Sequence, residues 1–191
     1  MARWEADARE RLVLAALDLF AEQGYDATTV AQIAERAGLT KSTFFRHFPD
    51  KRELLVAGQQ TLSRLLAEGI RDASPGTPPL DAVAQGLDRA TGAMTPFNRE
   101  IAHRLKAAVA ANAELQERDA LKSVGMAATM TEALMRRGTP EATAHLAAEL
   151  GVLAFKLGYA RWAASDGDAG ELRTHTRSAL AELRAAAAGL A

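Results

Sequence analysis

The sequence predicts an all-α protein in which an N-terminal helix-turn-helix domain is followed by a larger helical domain. The 191-residue chain is 48% hydrophobic but only 5% aromatic, and its abundant alanine favours helices over strands. Apolar residues recur at spacings of three and four, without the alternation typical of strands. The breaks between these periodic segments fall at glycine and proline. A chain of this length can bury a core of useful size.

The first helix is predicted over residues 7–23. Its apolar stripe consists of Leu12, Ala16, Leu19 and Phe20. Gly24 ends the helix, because glycine accepts the left-handed conformation that a helix C-terminus requires. A helix of this size would share one small core with the two helices that follow it.

Two short helices and a tight turn are predicted between residues 28 and 51. Thr29 can cap the first helix together with Gln32, three residues further on, in the reciprocal pattern called a capping box. Gly38 ends this helix, and Thr40 caps the next one. A helix, a glycine turn and a second helix form a helix-turn-helix, whose second helix lies in the major groove of DNA.

The second of these helices has two chemically different faces. Phe44 and Phe48, four residues apart, are expected to point into the protein. The residues on the opposite face are Lys41, Ser42, Phe45 and Arg46. Residues 36–52 include five basic side chains and one acidic side chain, which suits a surface that faces phosphates. Other small helical bundles also contain a helix, a glycine turn and a helix, so the pattern alone leaves that alternative open.

Longer stretches of this region resemble a known family. The residues YDATTVAQIA from Tyr25 and AGLTKSTFFRHFPDK from Ala37 resemble the DNA-binding domain of the tetracycline-repressor (TetR) family. The preceding helix, which ends AALDLFAEQGY, is similar as well, and the resemblance runs without gaps over residues 9–55. It implies a DNA-binding domain at residues 1–52 and an effector-binding and dimerisation domain at residues 53–191. It also implies a repressor that a small molecule releases from its operator.

Ten residues are candidates for contacts with double-stranded operator DNA. Lys41 is the predicted reader of a base, because an extended cation can reach the acceptors of guanine. Ser42, where the family often has glycine, and Thr43 offer short hydrogen bonds to bases or phosphates. Phe45 replaces the family's usual tyrosine, so it lacks a phenolic hydrogen bond and retains only ring packing. The candidates for phosphate contacts are Thr28, Thr29, Thr40, His47 and Lys51, and Arg46 is a further candidate on the exposed face.

The rest of the chain is predicted to be helical, with one clear interruption. A fourth helix is expected from Glu53 to Arg71, with Leu55, Leu62 and Leu66 on one stripe. The next segment, residues 72–79, contains three prolines and is typical of a loop. Five further helices are predicted at residues 80–94, 96–111, 113–137, 140–164 and 168–188.

A ridge of small residues in the segment 140–164 is the candidate dimer interface. It consists of Ala147, Gly151, Ala154 and Gly158, beside a row of leucines. Leu172 and Leu183 in the last helix follow at near-heptad spacing. The pattern alone fits internal core equally well. The TetR resemblance implies a homodimer formed by the last two long helices, which suits paired half-sites on DNA.

Large apolar residues in the middle helices predict a chamber for an apolar effector. Methionine accommodates ligands of varied shape, and small-molecule sites are mostly apolar with a few polar groups. A methionine stripe can also be ordinary core. Residues 111–118 and 148–155 resemble actinobacterial TetR-like regulators, some of which sense acyl-CoA thioesters. The candidate lining residues are Met94, Phe97, His103, Met126, Met130, Phe155, Tyr159 and Trp162.

Several other classes of protein are disfavoured. Without cysteine there is no disulfide framework. The N-terminus lacks the apolar core of a signal peptide and no apolar run could span a bilayer, so a cytoplasmic protein without a membrane partner is expected. No phosphate-binding loop or nucleophile motif is present, so neither enzyme activity nor a cofactor is expected. His145 and Glu149 alone are too weak a pair to predict a metal site. The competing function is that of a helical carrier or enzyme that does not bind DNA.

Overall fold

The computed structural model describes residues 2–56, 58–165 and 171–190, and all regular secondary structure in this part of the chain is helical. The all-α prediction is confirmed. The helices are α1 (Ala2–Gln23), α2 (Val30–Arg36), α3 (Lys41–His47), α4 (Glu53–Val56), α5 (Gln59–Arg71), α6 (Pro79–Gly92), α7 (Pro96–Ala111), α8 (Ala113–Arg136), α9 (Glu141–Ala164) and α10 (Glu171–Ala188).

The chain divides into two compact units. The first consists of residues 1–57 and 100–120, and the second consists of residues 58–99 and 121–191. The long helices α7 and α8 therefore contribute residues to both units. The sequence did not indicate that residues 100–120 would join the N-terminal unit, because this association depends on tertiary contacts. The predicted functional boundary between residues 52 and 53 stays a prediction.

The core of the first unit is shared by its three N-terminal helices. Phe20 of α1, Ile33 of α2 and Phe44 of α3 have no exposed surface. The segment 100–120 is joined to α1 by an ion pair between Arg104 and Asp18. A well-filled apolar core thus supports the turn between α2 and α3.

The first helix begins earlier than the sequence predicts. It starts at Ala2 rather than at residue 7. The added residues include alanine, arginine and glutamate, which have high helix propensity, and no glycine or proline interrupts them. The helix therefore extends by five residues beyond the start inferred from its apolar stripe.

The predicted fourth helix is two helices. The structure has α4 ending at Val56 and α5 beginning at Gln59. Gly58 precedes α5 with φ of +90°, a left-handed conformation that glycine adopts without steric cost. The prediction of one continuous helix from Glu53 to Arg71 is wrong, because a glycine within a helical pattern supplied this break.

The second unit contains a direct contact between helix backbones. Gly69 of α5 faces Gly86 of α6, and a Cβ added to Gly69 would lie 2.6 Å from the Gly86 Cα. Arg177 of α10 pairs with Asp88 of α6 at 2.6 Å. Side chains from α5, α6, α8, α9 and α10 fill one continuous core. This core contains several of the residues that the sequence assigned to an effector chamber.

Candidate DNA-binding surface

Local capping interactions hold the turn between α2 and α3. The Thr29 hydroxyl accepts a hydrogen bond from the Gln32 N–H (3.3 Å), and Gln32 Oε1 accepts one from the Thr29 N–H (2.8 Å). Gly38 has φ of +65°, and the Leu39 N–H donates to the carbonyl oxygen of Ala34 at 2.8 Å. The predicted capping box and glycine turn are confirmed.

The helix α3 begins at a second cap and is anchored by two phenylalanines. Thr40 Oγ1 accepts a hydrogen bond from the Thr43 N–H at 3.1 Å. Phe44 and Phe48 are 0% and 2% exposed, with ring centroids 5.7 Å apart. The residues exposed on the opposite face are Lys41, Ser42, Phe45 and Arg46. The two predicted faces of this helix are confirmed, and the DNA contacts of the exposed face stay a prediction.

Phe45 is the apolar member of this exposed face. It is 49% exposed. Its ring meets the buried Phe44 ring nearly edge-on, with centroids 5.5 Å apart and planes at 81°. The Lys41 ammonium lies 5.9 Å from the Phe45 ring centroid, within the range of a cation–π interaction. The ring is therefore held between a buried aromatic neighbour and an exposed cation.

The cations around the turn differ in their partners. Arg36 forms a two-pronged ion pair with Glu22, with N–O distances of 2.8 and 2.7 Å. This hydrogen bonding raises the pKa of Arg36 and lowers the pKa of Glu22. Within the described residues, neither Lys41 nor Arg46 forms an ion pair. The positive charge available to a polyanion thus lies on the exposed face of α3.

Lys51 has an internal role that sequence reasoning missed. Its ammonium donates hydrogen bonds to the carbonyl oxygens of Tyr25 (2.5 Å) and Thr28 (2.9 Å). It also lies 3.9 Å from the centroid of the Tyr25 ring. A phosphate contact would compete with these bonds, so the predicted role of Lys51 is corrected to that of a link between the segment after α3 and the loop before α2. No local sequence signal marks this contact, because it joins residues 26 positions apart.

Thr28 is also an internal residue. It is 1% exposed, and its hydroxyl donates to the carbonyl oxygen of Gly24 at 2.7 Å. Gln23 Nε2 donates to the same hydroxyl at 3.1 Å. The predicted phosphate contact of Thr28 is therefore wrong, because its side chain is already buried and hydrogen-bonded. The remaining candidates for phosphate contacts have exposed or half-buried side chains and are Thr29, Thr40 and His47.

Comparison with known proteins agrees with this geometry. The family described as "Bacterial regulatory proteins, tetR family" matches residues 12–57, which include the capping box, the glycine turn and the exposed face of α3. This part of the chain is therefore similar to the DNA-binding regulators of the TetR family.

Curated relatives match less than half of this chain. The transcriptional regulator TcmR of Streptomyces glaucescens is 37% identical over 76 residues, which are 40% of this chain and 34% of TcmR. The transcriptional repressor KstR of Rhodococcus jostii is 33% identical over 91 residues, 47% of this chain and 42% of KstR. The transcriptional activator FasR of Mycolicibacterium smegmatis is 37% identical over 67 residues, 35% of this chain and 31% of FasR. The chain thus spans between about a third and two fifths of these relatives.

Solved structures share the fold over nearly the whole chain. SmeT in complex with triclosan has a TM-score of 0.60 at 24% identity, covering 94% of this chain and 90% of SmeT. NalD, the secondary repressor of the MexAB-OprM multidrug efflux pump in Pseudomonas aeruginosa, has a TM-score of 0.56 at 21% identity, with coverage of 93% and 96%. At these identities the comparison shows the shared fold alone.

Two other kinds of feature, a membrane-spanning helix and a metal site, were sought among the described residues. Among them, no helix combines the length and apolar character that crossing a membrane requires. The same residues contain no group of three or more His, Cys, Asp or Glu side chains arranged to hold a metal ion.

The predicted effector chamber is closely packed. Met130 and Trp162 have no exposed surface, and Phe155 is 5% exposed. The half-buried Tyr159 lies between aromatic neighbours, with its ring centroid 5.7 Å from those of both Phe155 and Trp162. The other candidates in this unit are the buried Met126 and the half-buried Met94 and Phe97. His103 is exposed and belongs to residues 100–120 of the first unit, and its grouping with the other seven residues stays a prediction.

An open groove lies elsewhere in the second unit. It has a volume of about 530 Å³ and borders α8 and the first turns of α9. The Thr131 hydroxyl is buried there without a hydrogen-bond partner among the described residues. The groove is lined by Ala128, Thr131, Glu132, Met135, Arg136 and His145. Sequence reasoning missed it, although the exposed Leu121, Val124 and Met135 recur at helical spacing along α8.

The small-residue ridge of α9 packs within its own chain. A Cβ added to Gly151 would lie 2.6 Å from Val83 Cγ1 of α6, and one added to Gly158 would lie 2.7 Å from the Thr176 Cα of α10. The ridge residues Ala147 and Ala154 and the α10 residue Leu172 are also buried, and Leu183 is half-buried against the core. The prediction that this ridge forms the dimer interface is wrong, because neighbouring helices already cover it.

Proposed function

We propose that this chain is a ligand-responsive transcriptional repressor that binds double-stranded operator DNA as a homodimer. The observation that carries the proposal is the exposed face of α3. Lys41 and Arg46 are accessible there, while Phe44 and Phe48 fix the helix on the core. A short helix with a rigid base and a cationic outer face suits insertion into the major groove. The proposed site of action is the cytoplasm, where bacterial operators lie.

The proposed contacts divide into base reading and phosphate binding. Lys41, in the first turn of α3, reads a guanine, and Ser42 and Thr43 contribute short hydrogen bonds beside it. Thr29 and Thr40, at the two helix caps, bind phosphates and set the register without reading sequence. The half-buried His47 and the exposed Arg46 complete this set. Exclusion of Thr28 and Lys51 makes the proposed surface smaller than the sequence suggested.

The proposed dimer uses α9 and α10 with a different face of α9. Leu146 and Leu153 are 62% and 43% exposed. Leu150 and Leu157 lie in the same row at helical spacing and are half-buried. A row of leucines that its own chain leaves accessible supplies the apolar area that a dimer needs. A two-fold dimer then presents two copies of α3 to two half-sites.

The proposed effector is apolar, and an acyl-CoA or similar acyl compound is the finer proposal. Phe155, Tyr159 and Met130 supply aromatic and adaptable apolar surface in the second unit. Because these residues are closely packed in this structure, the effector must bind a second conformation in which they separate. It releases DNA only to the extent that it binds the DNA-incompetent state more tightly. Gly58, between α4 and α5, is the proposed point at which the backbone changes.

Binding to duplexes tests the DNA-binding function. A duplex selected from a random library and a scrambled duplex of equal length should be titrated by fluorescence anisotropy at several salt concentrations. We expect the selected duplex to bind on the order of a thousandfold more tightly than the scrambled one. Equal affinities for both duplexes at every salt concentration would instead favour a helical carrier that does not read DNA.

Thermal shift tests the effector function. Acyl-CoA esters, fatty acids and aromatic drugs should be screened for compounds that raise the melting temperature, since a ligand of the folded state stabilises by mass action. The same compound should release the selected duplex in the anisotropy assay. A panel in which no apolar compound does both would exclude the effector proposal and leave DNA binding intact.

A further inference from the structure

Phe45 differs in exposure from the other aromatic residues of the helix-turn-helix. Tyr25, Phe44 and Phe48 are 5%, 0% and 2% exposed, whereas Phe45 is 49% exposed. It lies on α3 between the exposed residues Lys41 and Arg46. A half-exposed phenylalanine leaves apolar surface in water, and covering that surface would be favourable. Because of this position, a partner that covers the Phe45 ring also contacts the cations Lys41 and Arg46.

The ring is held in a defined orientation. Its edge-on contact with the Phe44 ring, at a centroid distance of 5.5 Å, fixes it against a side chain with no exposed surface. The Lys41 ammonium lies 5.9 Å from its centroid. Because both neighbours are on the same short helix, the ring and the ammonium form one surface. A partner must therefore offer an apolar group close to hydrogen-bond acceptors.

The major groove of DNA offers this combination. The 5-methyl group of thymine is an apolar group in that groove, and phenylalanine is among the side chains that contact it. Guanine presents its O6 and N7 acceptors in the same groove. Stacked bases are separated by about 3.4 Å, so 5.9 Å spans fewer than two base steps. A thymine methyl within two base pairs of a guanine matches the spacing of the two side chains.

We propose that Phe45 packs against the 5-methyl group of one thymine in each half-site and thereby specifies an A·T pair there. This inference rests on the proposed DNA-binding function and names part of its sequence preference. The thymine lies within two base pairs of the guanine that Lys41 contacts. Lys41 and Arg46, which form no ion pair with the residues that the structure describes, favour a polyanion over an apolar protein surface as the partner of this face.

Replacement of single thymines by deoxyuridine tests the inference, because this change removes only the 5-methyl group. Each thymine of the selected duplex should be replaced in turn, together with its symmetry mate, and affinities measured for the wild-type protein and for Phe45→Ala. At one position the wild-type protein should lose about fourfold in affinity per half-site, which corresponds to about 0.8 kcal/mol for a buried methyl-sized group. Phe45→Ala should bind the thymine and deoxyuridine duplexes equally at that position.

A matched control and the remaining outcomes separate this inference from the proposed function. Leu121→Ala removes an apolar side chain that is 62% exposed on α8, and it should keep the wild-type deoxyuridine penalty. If the selected duplex is preferred over scrambled DNA but no thymine distinguishes wild type from Phe45→Ala, the role of Phe45 is overturned and the regulator stands. If no duplex is preferred at all, both proposals fail. A penalty in wild type that persists in Phe45→Ala assigns methyl recognition to another residue.

Discussion

The helices α3 and α9 leave very different faces free. The short α3 buries Phe44, with the buried Phe48 at its C-cap, and leaves a face with Lys41 and Arg46. The long α9 buries its small residues against α6, α8 and α10 and leaves Leu146 exposed, with other leucines beside it. One free face suits a polyanion, and the other suits an apolar surface. The comparison indicates that the side chains buried in the core determine the chemistry of the opposite, exposed face of each helix.

The largest expected effect lies on the buried face of α9. Gly158→Leu should lower the free energy of unfolding by about 3 kcal/mol, because a Cβ there would already lie 2.7 Å from the Thr176 backbone. Chemical denaturation measures this change. Ala142→Leu, at an exposed position of the same helix, should change stability by less than about 0.5 kcal/mol. Equal stability of the two variants would show that the ridge is not packed internally.

Substitutions on the exposed face of α3 should lower the affinity for DNA and leave the stability of the fold nearly unchanged. Lys41→Ala should cost about 1–3 kcal/mol per half-site on the selected duplex, with relaxed preference at one base position. Its melting temperature should stay close to that of the wild type, because the exposed ammonium makes no ion pair among the described residues and loses only its contact with the exposed Phe45 ring. If selected and scrambled duplexes lose affinity in the same proportion, Lys41 is a phosphate contact and Ser42, Thr43 or Arg46 reads the base.

The free face of α9 should respond in oligomeric state. Leu153→Asp places a charge in the proposed apolar interface and should raise the dimer dissociation constant by at least about tenfold, or 1.4 kcal/mol. Analytical ultracentrifugation across micromolar concentrations measures it. Val124→Asp on α8, a position that is more accessible at 65% exposure, serves as the control. A wild-type chain that remains monomeric at these concentrations would remove the two-fold operator from the proposal.

Replacement of Lys51 tests whether its side chain stabilises the helix-turn-helix or binds a phosphate. Lys51→Ala removes the hydrogen bonds to Tyr25 and Thr28 and should reduce stability by about 1 kcal/mol. The slope of log affinity against log salt should stay unchanged, since no phosphate contact is lost. Thermal denaturation and salt titration measure the two effects separately. A slope shallower by about one unit per subunit would restore Lys51 as a phosphate contact.

The smallest expected effect is a pH dependence at the seam between α9 and α10. Hydrogen bonds from Arg161 and Ser178 lower the pKa of Glu182 from 4.5 to about 2. The folded state thus favours the ionised carboxylate, so its stabilising contribution is complete above pH 4.5 and is lost as the pH falls towards 2. The stability difference between wild type and Glu182→Gln should be constant at neutral pH and should shrink over that acidic window. A difference that does not vary with pH would show that this ion pair contributes nothing.

The sequence predicted features that depend on neighbouring residues and missed those that depend on distant ones. Thr29, Gly38 and Thr40 could be assigned because caps and left-handed glycines act within a few residues. Thr28 and Lys51 resemble ordinary phosphate-binding residues in sequence, and only the folded chain brings carbonyl oxygens to them.

The packing of the second unit was harder to predict, because it also depends on contacts between distant residues. The helix α9 is apolar around most of its circumference, so its period cannot distinguish a face covered by its own chain from a face left for a partner. Gly151 and Gly158 indicated close helix approach correctly, but the approaching helices are α6 and α10 of the same chain. The break at Gly58 was missed because a single glycine is tolerated within many helices.

The contact between Gly69 and Gly86 has a mechanical consequence. With backbone atoms of α5 and α6 touching, no side chain lies between them that could change rotamer and absorb a displacement. A ligand that displaces α6 would therefore displace α5 by a similar amount, so the two helices would move as one rigid body. Because the contact leaves no free space, even one added methyl group at Gly69 or Gly86 would push the two helices apart.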